Sequence, residues 1–280
     1  MSTPVSLPEV VATLRAAGCV FAEDEARLIM SAAAGPDDVA VMVDRRAAGQ
    51  PLEHVIGWAE FCGLRIAVDP GVFVPRRRTE FLVREAVAAA RTQTARTKTA
   101  VVLDLCCGSG AAGAAVAAAL AADLGRVELH AADIDPAAVR CARRNVAAAG
   151  GQVYQGDLFA PLPAALRGRV GLLLANVPYV PTGEIGLLPA EAREHEARVA
   201  LDGGADGLDV LRRVTAAAPG WLAPGGCLLT ETSERQASQA AGAIAASGLI
   251  PRAAACEELA ATVVIGTTPG GPGSRPAVRR

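Results

Sequence analysis

The stretch Ala100-Val101-Val102-Leu103-Asp104-Leu105-Cys106-Cys107-Gly108-Ser109-Gly110 decides the fold. Its apolar run reads as a buried strand with a carboxylate near its end. A tight loop of small residues follows, and then an Ala-rich helix from Ala111 to about Ala122. A glycine loop between a strand and a helix lets a ligand approach bare backbone, with free N–H groups and the helix dipole beneath it. Working outward, Val127 to Asp133 is a second strand ending on an acid, placed to take both hydroxyls of a ribose. Pro136 opens a helix through Val146. Gln152 to Leu158 is a third strand whose end carries Asp157, and Val170 to Ala175 is a fourth. Strands alternating with helices predict an α/β protein with a parallel, doubly wound sheet.

The fourth strand runs straight into Asn176-Val177-Pro178-Tyr179. An Asn side chain and the carbonyl just after it can set two acceptors side by side, which fits one –NH2 group. A neighbouring Tyr offers a flat face for a planar group. The competing reading is an ordinary Pro turn. A second rivalry concerns the glycine loop. Gly108-Ser109-Gly110-Ala111-Ala112-Gly113 matches the dinucleotide fingerprint, and Asp133 lies 20 residues past Gly113. Two features oppose a dinucleotide. Asp104 stands where that fingerprint has an apolar residue, and suits a cationic or amino-bearing group such as the methionine part of S-adenosylmethionine. The Asn176 loop also has no role in a dehydrogenase.

With 280 residues, 51% of them hydrophobic, the chain can bury one large core and a small one. A net charge of -2 and 3% aromatics argue against a broad nucleic-acid footprint or base-stacking platforms. Seven cysteines without a CxxC pair are expected as reduced thiols in a cytoplasmic setting, neither a disulfide framework nor a metal site. Neither a signal pattern nor a membrane span is read.

Residues 4 to about 48 read as three short amphipathic helices, opened by Pro8, Ala22 and Pro36. Ala59 to Val68 alternates around a Gly turn and reads as a hairpin. Arg76-Arg77-Arg78 follow a Pro, and fit either a phosphate site or a solvated loop. Thr79 is placed to cap a helix from Glu80 to Ala90. Arg91 to Thr99 is a polar connector. His195 among carboxylates reads as a surface residue rather than a base, since no nucleophile pairs with it. Trp221 to Gly226 reads as a turn into a strand from Cys227 to Glu231, and Thr262 to Thr267 as a last strand. The expected organisation is a helical N-terminal domain over 1–58, a β-hairpin connector over 59–74, a catalytic domain over 75–268 and a disordered tail over 269–280.

Five motifs in order resemble the HemK/PrmC-type protein-(glutamine-N5) methyltransferases. The family's IPRPETE is similar to Val74-Pro75-Arg76-Arg77-Arg78-Thr79-Glu80, and its LDLGTGTG to Leu103 through Gly110. Its VDISPDAL is similar to Ala132 through Val139, its NPPYIP to Asn176 through Pro181, and its EPxxALDGGxDGLD to Glu196 through Asp209. The resemblance implies a class I fold with a Rossmann-like seven-stranded sheet, and S-adenosyl-L-methionine as cofactor. By position, it implies that Asp104, Cys106, Cys107, Gly108, Ser109 and Gly110 cradle the cofactor. Asp133 holds its ribose beside Ile134, and Asp157 and Leu158 flank its adenine. Asn176 sits between cofactor and substrate. Asn176 and the Val177 carbonyl hold a glutamine amide, with Pro178 and Tyr179 completing the catalytic and substrate site. The implied partner is a protein, the Gly-Gly-Gln glutamine of a class 1 release factor. An N6-adenine nucleic-acid methyltransferase and a non-catalytic cofactor-binding protein remain as alternatives.

Three departures from the family pattern set further expectations. Cys106 replaces a Gly, so φ there is expected to be negative. Val177 replaces the first Pro, which leaves an N–H needing a partner, while Pro178 keeps Val177 extended. Arg77 and Arg78 replace a Pro and an acid, which predicts a more basic surface and suits a different partner.

Overall fold

The computed structural model describes residues 6–93, 99–124 and 126–269. Most of the expected polar connector and all but the first residue of the expected disordered tail lie outside them. The first helix, α1 (Leu7–Ala16), begins at a capping box in which the Ser6 N–H donates to Glu9 at 2.8 Å. It packs with α2 (Ala22–Ala32), α3 (Pro36–Ala47) and a short α4 (Leu52–Ile56) around Val10, Leu14, Ile29, Val43 and Val55. The strands β1 (Trp58–Phe61) and β2 (Leu64–Ala67) form the expected antiparallel hairpin. A 3-10 turn over Arg77–Thr79 then leads into α5 (Glu80–Gln93). Thr79 is not the cap. It belongs to that turn, and its buried hydroxyl has no hydrogen-bond partner among the described residues.

The remaining elements are β3 (Thr99–Leu105), α6 (Ala111–Leu124), β4 (Arg126–Asp133), α7 (Pro136–Asn145), β5 (Gln152–Gln155), β6 (Val170–Ala175), α8 (Ala190–His195), α9 (Asp209–Ala217), β7 (Leu222–Thr232), α10 (Ala237–Ala246), β8 (Ile250–Cys256) and β9 (Ala261–Thr267). They build one seven-stranded sheet in the order β5-β4-β3-β6-β7-β9-β8. The first five strands in that order are parallel; β9 is antiparallel to both β7 and β8. Alternate residues of the central strands serve two cores. Val102, Leu172, Leu174 and Leu229 face one, and Leu103, Leu105, Leu173 and Leu228 the other. A strand covered on both faces is apolar at nearly every position, which explains the continuous runs in the sequence.

Two boundaries differ from expectation. The third strand stops at Gln155, because Gly156 turns away and Leu158 takes a φ of +49°. The segment read as a turn before Cys227 belongs to β7. Val170 pairs with Leu222 and Leu172 with Cys227, so residues 223–226 bulge out of the ladder. Among the described residues, no helix is long and apolar enough to cross a membrane.

Candidate active site

Sheet register builds the site. Leu105 on β3 lies level with Ala132 on β4 and Ala175 on β6. The next residue on each chain is therefore Cys106, Asp133 or Asn176, side by side at the carboxyl ends of the strands. The connections that follow β3 and β6 leave in opposite directions across the sheet, and the crevice between two such strands is where open α/β sheets bind ligands. A cavity of about 560 Å3 opens there, lined by all the residues expected to hold the cofactor, except Gly110, and by Asn176 to Tyr179.

On the β3 side, Asp104 is buried and accepts a 2.8 Å hydrogen bond from the Gly113 N–H. A Cβ at Gly113 would lie 2.9 Å from that same carboxylate oxygen. The third glycine of the apparent dinucleotide fingerprint thus lets α6 close onto Asp104. Burial, which penalises the charged form, pushes the Asp104 carboxyl up to about 7. Cys106 has a φ of +54°, against the expected negative angle. The loop keeps the left-handed turn of a Gly in spite of the side chain, because Cys107 is tied across to Ala132 and Gly110 back to Cys107. Asp133 accepts from the N–H groups of Gly108 at 2.8 Å and Asp135 at 2.9 Å, which fixes its carboxylate at the rim. Ile134 is half exposed beside it, and Asp157 is ion-paired with Arg213 from α9.

On the β6 side, the Asn176 side chain has no hydrogen-bond partner among the described residues and lines the cavity. Val177 puts its side chain into the core beneath the sheet. The Tyr179 hydroxyl donates to Glu231 Oε1 at 2.9 Å, and Arg78 Nε donates to the same oxygen at 2.9 Å. Burial and the adjacent carboxylate both push the Tyr179 phenol up. The Tyr179 carbonyl accepts from Gln236 Nε2, which also donates to the Asp206 carbonyl, each at 3.0 Å. The glycines of the Asp202–Asp209 loop pack behind this strip. A Cβ at Gly203 would lie 2.7 Å from the Pro178 carbonyl, and one at Gly207, with φ +78°, 2.3 Å from the Tyr179 carbonyl.

The sequence reading missed four residues that fix the site: Glu196, Arg213, Glu231 and Gln236. Glu196 is buried, pairs with Arg76 at 2.7 Å, and accepts from the Val74 N–H at 2.9 Å. It ties the connector to the segment after Tyr179. The only prior signal for it was the motif that begins at Glu196. The more basic surface expected from Arg77 and Arg78 is limited by the pairing of Arg78 with Glu231. Arg76 and Arg78 neutralise two buried carboxylates, and only Arg77 has no ion pair among the described residues. His195 ends α8 outside the cavity lining.

This strand order, with a glycine loop after β3, an acid ending β4 and a polar loop after β6, defines a class I methyltransferase. Comparison with known proteins agrees. Residues 64–204 match the family model described as Methyltransferase small domain. The chain is 39% identical to a release factor glutamine methyltransferase of Geobacter sulfurreducens, over 76% of this chain and 72% of that one. It is 37% identical to a 4-amino-L-phenylalanine/4-methylamino-L-phenylalanine methyltransferase of Streptomyces pristinaespiralis, over 74% and 69%. The fold is similar to that of the T. thermophilus 16S rRNA N2 G1207 methyltransferase, solved with AdoMet and guanosine. The TM-score is 0.51, with 17% identity, 75% of this chain and 49% of that one. The chain belongs to the HemK/PrmC-type family of methyltransferases.

Proposed function

We propose that this enzyme methylates the side-chain amide nitrogen of a protein glutamine, in the Gly-Gly-Gln motif of a class 1 release factor. S-adenosyl-L-methionine is the methyl donor in this reading, and supplies a methyl group on a positively charged sulfur. The observation that carries the reading is the free Asn176 side chain, level in the sheet with the Cys106–Gly110 loop. The donor set fits such a cofactor. Asp133 at the rim would take ribose hydroxyls, Asp104 would face the amino-acid end, and Asp157 with Leu158 would border the base.

A carboxamide nitrogen is a weak nucleophile because its lone pair is delocalised into the carbonyl. Asn176 Oδ1 and the Val177 carbonyl accept its two N–H groups and turn the lone pair toward the donor. Tyr179 packs against the amide plane. The rate gain comes from positioning and from fixed dipoles around developing charge, without prior removal of a proton.

The test is label transfer from methyl-tritiated S-adenosylmethionine to a purified release factor, to the same factor lacking its Gly-Gly-Gln glutamine, and to duplex DNA. Label that requires the glutamine is the expected outcome. Asn176→Ala should lower kcat roughly 100-fold or more, far more than it weakens cofactor binding. Unchanged turnover in that variant overturns the mechanism. The 37% identity to an arylamine methyltransferase favours a second reading, in which the acceptor is a small aromatic amine. Labelled 4-amino-L-phenylalanine would reveal it.

A further inference from the structure

The replacement of an imino acid by Val177 adds a main-chain donor to the acceptor site. Val177 is only 2% exposed, and no acceptor for its N–H is found among the described residues. A buried, unpaired N–H is costly. The residue lines the cavity, so a ligand can satisfy that donor.

The direction of the donor follows from local geometry. Pro178 biases Val177 toward extended angles, and Val177 has neither a cis peptide bond nor a positive φ. In extended backbone, the N–H and C=O of one residue point to the same side, as when both bond one partner residue in an antiparallel ladder. The side chain stands roughly perpendicular to that direction and is held in the core formed with Leu105, Ala175 and Leu208. Val177 therefore presents a donor and an acceptor together, locked by packing, with Asn176 alongside.

We propose that the Val177 N–H is a specificity-determining group that binds the oxygen of a primary carboxamide. The proposal deepens the glutamine reading above and rests on it for the acceptor class. A carboxamide matches the site at all three positions. Its oxygen accepts from the Val177 N–H, the N–H cis to that oxygen donates to the Val177 carbonyl, and the other N–H donates to Asn176 Oδ1. An isolated arylamine offers the two donors and no acceptor, so its binding leaves the Val177 N–H buried and unpaired. Sites built to hydrogen-bond a group discriminate strongly against analogues that lack it. The role of this bond is orientation and selection, since an oxygen acceptor does not itself make the nitrogen more nucleophilic.

The experiment is NMR titration of protein labelled with 15N-valine, saturated with S-adenosylhomocysteine. The Val177 amide resonance is identified by its loss in Val177→Pro. N-acetylglutamine N′-methylamide should move that proton downfield, and 4-amino-L-phenylalanine should not. The Val177→Pro variant, which leaves the carboxamide oxygen without its donor, should bind the carboxamide about tenfold more weakly, the lower part of the range for one unpaired buried polar group. If that variant fails to fold, the resonance is identified instead by its loss in Val177→Ile, and the wild-type titration decides. An unmoved Val177 proton in an enzyme that methylates glutamine overturns the proposal and leaves the function standing. A shifted proton in an enzyme that methylates no glutamine does the reverse.

Discussion

The Tyr179 hydroxyl and Arg78 Nε share a single oxygen of Glu231, each at 2.9 Å. The other oxygen of that carboxylate is buried with no hydrogen-bond partner among the described residues. The Arg78 guanidinium also lies 5.7 Å from the Tyr179 ring centroid. One buried acid thus fixes the aromatic face that the proposed mechanism lays on the substrate, and Arg78, at a position where the family pattern has an acid, balances its charge.

This arrangement separates two roles for Tyr179. Tyr179→Phe keeps the ring and loses the bond to Glu231, and should lower kcat several-fold with KM for the protein acceptor little changed. Arg78→Met leaves Glu231 buried without its cation, and should cost about 2 kcal/mol in denaturant unfolding, below the range for fully buried pairs because Arg78 is partly exposed. The double variant Arg78→Met/Glu231→Gln should recover most of that loss. Independent, additive losses would show that the pair is not coupled.

Cys106 holds a φ of +54° at a position where only glycine is comfortable. The left-handed region costs an ordinary residue roughly 1–2 kcal/mol. Cys106→Gly should therefore stabilise the protein by about 1 kcal/mol, visible as a rise in Tm of about 2–4 °C for a domain of this size. Removing the side chain also widens the approach beside Asp104, so cofactor affinity should rise or hold. A loss of stability would mean that the thiol packs better than its backbone strain implies.

The fold was legible where it is locally encoded. The strands buried on both faces announce themselves as apolar runs, and the loop residues Gly108, Gly110 and Asn176 to Tyr179 sit directly after them. Short or weakly patterned elements were not legible. The helix α4 has five residues, too few for a period to emerge, α10 is nearly uniform in small residues, and β8 is an exposed edge of small and polar residues. The site's supporting shell was hidden for a different reason. Glu196 meets Arg76 across 120 residues, and Glu231 meets Arg78 across 153, so nothing local marks either acid as buried. Cys106 failed as an expectation because its dihedral is imposed by bonds from the loop to its neighbours, not by its own preference.

Arg46 on α3 is nearly buried, and bridges Glu25 on α2 and Glu191 on α8, each at 2.6 Å. Glu191 lines the cavity, so this arginine ties the helical segment to the mouth of the site. Its two partners separate stability from function. Arg46→Met strands the buried Glu25 and should cost about 3 kcal/mol. Glu191→Gln removes only the partly exposed arm, and should change stability by less than about 1 kcal/mol. That second variant should raise KM for the protein acceptor without changing kcat. Steady-state kinetics beside urea unfolding checks both, and a kcat effect from Glu191→Gln would instead place the arm in the catalytic step.

Asp104 gives a pH signature whose sign can be worked out. Burial raises its carboxyl to about 7 in the folded protein, from an ordinary value of 3.8. Between these two values the native state binds a proton that the unfolded chain does not. Stability therefore falls as pH rises through that window, by at most about 1.4 kcal/mol per pH unit, and levels off above the folded value. Burial also raises Asp133 and Glu196, which add slopes of the same sign. The readout is accordingly the difference between wild type and Asp104→Asn, which keeps an oxygen for the Gly113 N–H and cannot ionise. Urea unfolding at pH 5, 6, 7 and 8 should show the variant gaining on wild type from pH 5 to 7, with a constant gap beyond. Parallel curves across the whole range would mean that Asp104 titrates alike in the folded and unfolded chain, and that water or a neighbouring group offsets its burial.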